Sequence, residues 1–265
     1  MKSKLQLKPK SKVLKKGYIN IYSELTLQEK RQIFFKTLYK KENPEWDESM
    51  VYLSKKLKDY LSGNGNLLDI GCGNGNYLVD ENRKKIRWAT GIDVDKNSVK
   101  KNKCLDEIAI GNIEKLPFKN NSFDIVTSLW VLEHIKNPEE AVREVNRVLK
   151  PNGIFIFVTP NFNYLPLRIM KWLNLLNVNP ILNKVLYGRE EKDIFKTYYR
   201  ANSAERIRNL VKNYFRIVEL RTNFDPSYTS FNKITYLLTK LMNTIFTSFG
   251  LNVTHPHLIG VLEKK

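Results

Sequence analysis

The chain has 265 residues, enough to bury one substantial core but too few for two large domains of equal size, and its two cysteines exclude a disulfide framework. Lys and Arg number 45 against 27 Asp and Glu, a formal charge of +18 at pH 7, which leaves three readings open: RNA, an anionic lipid surface, or a composition biased toward Lys and Asn. The basic residues are not interleaved with aromatics as a single-strand groove requires, which disfavours nucleic acid.

In chain order, residues 1–17 form a basic leader, expected to be disordered because it has too little apolar surface to offset its ordering entropy. Its seven lysines are followed by no apolar core of a secretory signal, and no later stretch reaches the length of a membrane span. With the cysteine usage this points to a cytoplasmic protein, peripheral at the inner membrane surface if the charge serves lipid. Thr26-Leu27-Gln28-Glu29 has capping-box spacing and predicts a helix through Gln32 to Lys40. Asp47 is read as opening a second helix through Leu53, Leu57 and Leu61, ended by Gly63, Asn64 and Gly65.

Leu67-Leu68-Asp69-Ile70-Gly71-Cys72-Gly73-Asn74-Gly75-Asn76 is an apolar strand running into a glycine turn that admits a ligand close to the backbone. Asn76 stands where G-x-G-x-x-G needs its third glycine, so a pyrophosphate cradle is disfavoured. Trp88-Ala89-Thr90-Gly91-Ile92-Asp93 then places a carboxylate at the end of a second strand, where it can accept both ribose hydroxyls of an adenosine. The alternative is that Asp93 or Asp95 caps a helix beginning near Lys96.

From Gly111 to Asn161 the chain carries Gly111-Asn112-Ile113-Glu114-Lys115-Leu116-Pro117-Phe118, Asn121-Ser122-Phe123-Asp124-Ile125-Val126-Thr127-Ser128, Leu132-Glu133-His134-Ile135 and Arg143-Glu144-Val145-Asn146-Arg147-Val148-Leu149-Lys150-Pro151-Asn152-Gly153. Together with Asp69 and the G-x-G-x-G turn, over about residues 64 to 161, this order resembles the class I methyltransferases of type 11, the group of the ubiquinone and menaquinone methylases, which use S-adenosyl-L-methionine (SAM). The resemblance implies an α/β fold: a doubly wound, mostly parallel seven-stranded sheet with helices on both faces. Residues 18–265 would form this domain, with helical insertions at about 162–195 and 224–254.

The resemblance also implies roles. Asp69 would hold the cofactor's amino group, directly or through water, beside Gly71, Gly73 and Gly75; Asp93 would hold the ribose. Asn112 replaces the family's aspartate near the adenine amino group, where its amide carbonyl can still accept a hydrogen bond. The backbone at Ile113 would meet the adenine ring, and Leu129 would face the methionine part. Where metal-dependent quinone O-methyltransferases carry E-x-x-E-H, this chain has Trp130-Val131-Leu132-Glu133-His134, one hard oxygen ligand short, so no metal is expected. His255 and His257 lack a third ligand nearby. His134 is the candidate general base, the other reading being that it packs the loop before Pro138, with Glu133 pairing Arg143 or Arg147. Trp130 is read as acceptor pocket or core aromatic.

Three later segments bear on the acceptor. Tyr164 to Leu176 is apolar nearly all round with two cations, the pattern of a buried lid. In Phe195 to Ser203, Tyr198, Tyr199 and Arg200 are candidates to grip an acceptor, Arg200 through a phosphate or carboxylate, unless Asn202 or Ser203 caps the next helix with the tyrosines beneath it. A helix is expected over Ala204 to Asn213, then strands over Tyr214 to Thr222 and Leu258 to Glu263. Ile234, Leu237, Leu238, Leu241, Met242, Ile245, Phe246 and Phe249 form one helical stripe, read as packing on the domain or first insertion, as a membrane-surface helix, or as a dimer contact. The expected reaction is methyl transfer to a small, lipid-like or glycan-linked acceptor, with RNA methylation or non-catalytic SAM binding as alternatives.

Overall fold

The computed structural model describes residues 25–61, 65–175 and 196–265. The expected leader, Gly63 and Asn64, and most of the 162–195 insertion lie outside them. Helix α1 (Leu27–Glu42) begins at the expected capping box: Thr26 Oγ1 accepts from Glu29 N at 3.2 Å and Glu29 Oε2 accepts from Thr26 N at 2.7 Å. Helix α2 (Ser49–Tyr60) departs from expectation, because Glu48 occupies the N-cap and Asp47 instead binds Lys40 Nζ at 2.9 Å and Lys55 Nζ at 2.5 Å. Two lysines within reach outcompete a helix end for that carboxylate.

Seven strands follow: β1 (Asn66–Ile70), β2 (Trp88–Asp93), β3 (Glu107–Ile110), β4 (Phe123–Leu129), β5 (Leu149–Pro160), β6 (Phe215–Asn223) and β7 (His257–Lys264). They form one sheet in the order β3-β2-β1-β4-β5-β7-β6, parallel except for β7, which runs antiparallel to both neighbours. Strands β1 and β4 are almost continuously buried because helices cover both faces. On one face Leu68, Val126 and Phe155 pack with α5 (Pro138–Val148) and α7 (Ala204–Val211); on the other Leu67, Ile125 and Ile156 pack with Leu53 and Leu57 of α2 and with α3 (Tyr77–Asn82). The chain leaves β1 toward β2 and β3, then returns to β4 on the other side, so the strand order reverses between β1 and β4. A crevice opens there at the strands' carboxyl ends.

Two helices lie differently from expectation. In α6 (Leu165–Leu175), Leu165, Ile169 and Trp172 are exposed, so its described part is not a buried lid. In α8 (Lys233–Ser248) only Tyr236 is buried, stacked on Phe35 at 5.3 Å, while the expected apolar stripe faces outward rather than onto the described core. No helix among the described residues is long and apolar enough to cross a membrane.

Candidate active site

The turn after β1 depends on backbone that L-residues rarely adopt: φ is +70° at Gly71, +45° at Gly73 and +106° at Gly75. A Cβ on Gly71 would stand 2.1 Å from Val131 Cγ2, whereas one on Gly73 would meet nothing within 4 Å. Gly71 is therefore a packing requirement, and Gly73 faces open space. Asp93 ties the turn to β2: Oδ2 accepts from Gly73 N at 2.8 Å and Oδ1 from Asp95 N at 2.8 Å. The short helix α4 (Lys96–Val99) is capped by Asp95, which accepts from Asn97 N, so Asp93 is left to the turn.

Asp69 lies beneath the turn, fully buried, its carboxylate accepting from Thr127 Oγ1 at 2.8 Å and Asn76 Nδ2 at 2.5 Å. Burial pushes its pKa up to about 7, the nearby charge of Asp93 adds to the rise, and the two donors oppose it. Asn76 in turn caps α3 by accepting from Val79 N at 3.0 Å. Asn76 thus couples Asp69 to the turn.

A cleft of about 490 Å³ opens at the strand ends, and Gly71, Asp93, Asn112, Ile113, Trp130, His134 and Tyr198 all line it. Asp69, Gly73, Gly75 and Leu129 do not form its wall. Asn112 Oδ1 accepts from Glu114 N at 3.0 Å, leaving its second lone pair for another donor. Val94, Glu114, Val131 and Lys136 also line the cleft although sequence reasoning assigned them no role. For Val94 the one signal in the sequence was its place directly after Asp93; it is 60 % exposed and lines the cleft.

Trp130 sits at φ +59°, a strained value for a bulky residue, with its N–H bonded to Val158 O at 2.9 Å. Its ring lines the cleft and packs edge-on against His257 at 4.7 Å, so pocket and packing roles coincide. His257 is held at both nitrogens, Nδ1 with Ser49 Oγ at 2.8 Å and Nε2 with Tyr228 OH at 3.0 Å, and burial lowers its pKa to about 4. His255 Nδ1 pairs with Thr222 Oγ1 at 2.8 Å. Among the described residues no three His, Cys, Asp or Glu groups cluster as metal ligands.

His134 ends a 3-10 turn (Leu132–His134), and its Nδ1 lies 3.0 Å from Lys196 O. A carbonyl only accepts, so Nδ1 carries a proton, and Nε2 lies 3.9 Å from Glu133 Oε1. Glu133 does not pair with Arg143 or Arg147, which bind Glu140 and Glu144 one helical turn away. Its buried carboxylate accepts from Thr159 Oγ1 at 3.0 Å, and its backbone carbonyl accepts from Tyr198 N at 2.7 Å and Tyr199 N at 3.2 Å. The 198–199 segment is thereby folded onto the turn that carries His134.

Of the three candidate acceptor residues after β5, only Tyr198 reaches the cleft. Tyr199 lies against Phe162 at 5.9 Å with Lys171 over its ring, and Arg200 donates to Lys136 O at 2.9 Å. Ser203 caps α7, accepting from Arg206 N, while Asn202 is buried and donates to Thr159 Oγ1 at 2.5 Å.

Comparison with known proteins fits this architecture. Residues 68–157 match the Methyltransferase domain family. Uncharacterized protein MJ1252 of Methanocaldococcus jannaschii is 34% identical over 207 residues, 75% of each chain. The sterol 4-C-methyltransferase strm-1 of Caenorhabditis elegans is 30% identical over 116 residues, 40% of this chain and 33% of that one. A demethylmenaquinone methyltransferase of Staphylococcus aureus is 28% identical over 157 residues, 56% of this chain and 65% of that one. These last two matches span less than two thirds of the relatives' length. The solved structure of YcgJ protein from Bacillus subtilis, 17% identical, shares the fold with a TM-score of 0.53 over 81% of this chain and 98% of that one. The chain belongs to the class I SAM-dependent methyltransferases.

Proposed function

We propose that the protein transfers the methyl group of SAM to a small lipid-like acceptor, and that its two substrates meet in the cleft at the ends of β1 and β4. The observation that carries this reading is the convergence of the Asp93-anchored glycine turn with Trp130, His134 and Tyr198 on one cavity. The site fits SAM: Gly73 leaves open space beside the turn, and Asp93 offers a carboxylate at the distance of about 20 residues that a ribose ligand requires. The Gly71–Gly75 turn, with Asp69 acting through Asn76, would hold the methionine end, and Leu129 would back it. Val94 and Ile113 would flank the adenine and Asn112 its edge.

When bound, SAM supplies an electrophilic methyl on a sulfonium, whose departure leaves a neutral thioether. The protein's part is to align the acceptor in line with that bond, through the Trp130 and Tyr198 rings, and to exclude water. An acceptor hydroxyl would lose its proton to His134, which lines the cleft. The relatives that act on a sterol and on demethylmenaquinone support a lipid-like acceptor.

Incubation with methyl-labelled SAM and separate lipid, RNA and small-metabolite extracts tests the reading, with label expected in the lipid fraction. Label confined to RNA would overturn the acceptor class, and calorimetry showing no SAM binding would overturn the site. Asp93→Ala should weaken SAM binding by about 1.5 to 3 kcal/mol through loss of hydrogen bonds to a charged acceptor.

A further inference from the structure

Helix α8 is mounted with its polar side inward. Tyr236 OH and Lys240 Nζ both bind Glu42 Oε2, Thr239 meets Thr229 at 3.0 Å, and Asn243 Oδ1 accepts from Thr254 Oγ1 at 2.7 Å. These four positions lie on one helical face. On the opposite face Ile234, Leu237, Leu238, Leu241 and Ile245 are each between 42 and 70 % exposed. Helix α6 repeats the pattern, with Leu165, Ile169 and Trp172 outward at i, i+4 and i+7. The start of α6 is tied to the segment after α8, where Leu165 N donates to Val253 O at 2.7 Å, and the exposed Phe249 and Leu251 lie in the connection just before it.

We infer that this apolar face docks the protein on an anionic lipid bilayer. Charge selects the occupant. Across Leu165–Leu175 and Lys233–Ser248 every charged residue is a cation; Lys240 is paired with Glu42 on the inward side, which leaves Arg168, Lys171 and Lys233 at the exposed surface. Such a face attracts anionic headgroups, and its long cationic stems and Trp172 suit the boundary between headgroup and hydrocarbon. Pairing with a second copy would set these cations against one another. The face also borders the acceptor side of the cleft, since Lys171 lies over Tyr199, which is anchored with the cleft residue Tyr198 on the Glu133 carbonyl. The inference rests on the reading of a lipid-like acceptor, which would then enter from the bilayer without crossing water.

The test is flotation of the full chain with vesicles of phosphatidylcholine alone or mixed with phosphatidylglycerol, which needs no turnover. The parent protein should float with the mixed vesicles and less so as salt rises. The double variant Leu241→Asp, Ile245→Asp should lose about tenfold or more in partitioning, with an unchanged melting temperature because both side chains are exposed. A control, Trp88→Asp with Val218→Asp, makes the same charge change at exposed apolar positions elsewhere and should float like the parent. A folded parent that stays in the aqueous fraction overturns the inference, as does a Leu241→Asp, Ile245→Asp variant that floats normally. Absence of flotation with a dimer that the same variant dissociates would assign the face to a second copy instead. Calorimetric titration of SAM into the same preparation separates either failure from failure of the methyltransferase site.

Discussion

The glycines of the β1 turn have separable duties that substitution can resolve. Gly73→Val places a branched side chain in open space, at a cost of roughly 1 to 2 kcal/mol for the left-handed backbone, so the fold should survive while calorimetry finds SAM binding abolished. Gly71→Ala, by contrast, drives Cβ into Val131, a wall of the cleft, and should lower the melting temperature as well as the affinity. Asp69 makes a pH prediction. Its folded pKa, about 7, lies above the ordinary aspartate value of about 3.9, so its contribution to stability is fully present below pH ~4 and is lost as pH rises through ~7. Melting curves of the SAM-free parent and Asp69→Asn should diverge over that window, the parent losing ground as pH rises; parallel curves would refute the shift.

At the scale of elements, the sheet is held by close fits that leave no room for added atoms. Gly260 in β7 faces Phe157 of β5 so closely that a Cβ would stand 2.2 Å from the ring. Gly260→Ala should cost about 1 to 3 kcal/mol or more in urea unfolding with an unchanged slope, because a central strand cannot move away from its neighbours. Much of this level was legible locally. The Thr26 capping box and the β1 turn depend on residues a few positions apart, and Asp93 follows Gly73 by 20 positions at the end of the next strand, so spacing reveals them. Asp47 misled because its competitors Lys40 in α1 and Lys55 in α2, seven and eight positions away, meet it only once both helices are in place. His134 was legible as a residue, but the proton on its Nδ1 is decided by Lys196, 62 positions later.

For the whole molecule, acid sensitivity should come from β7 and the turn before it. His255 and His257 are both pushed down to about 4, chiefly by burial. A lowered histidine pKa contributes stability above its ordinary value of about 6.5, and that contribution is lost as pH falls through ~4. The melting temperature should therefore drop steadily below pH ~6.5, and His257→Gln, less stable at neutrality, should show a shallower acid decline. Asp69 acts in the opposite sense over part of this range, which is why its effect is read as a difference between variants.

Spacing alone determined the family's Gly-Asp cofactor motifs, the alternation of strands and helices, and the amphipathic pattern of residues 234–249, because each is a periodicity or a short-range turn written in neighbouring residues. Which way α8 faces was beyond it: a helical stripe is the same sequence whether it meets core or solvent, and the contacts of Tyr236 with Phe35 and Glu42, some 194 to 201 positions away, turn its polar side inward. The same holds for Tyr198, Tyr199 and Arg200, three consecutive residues that only the fold divides, one to the cleft, one to Phe162 and one to the Lys136 backbone. Their directions are set by the Glu133 carbonyl and the left-handed backbone at Tyr199, which are properties of tertiary packing.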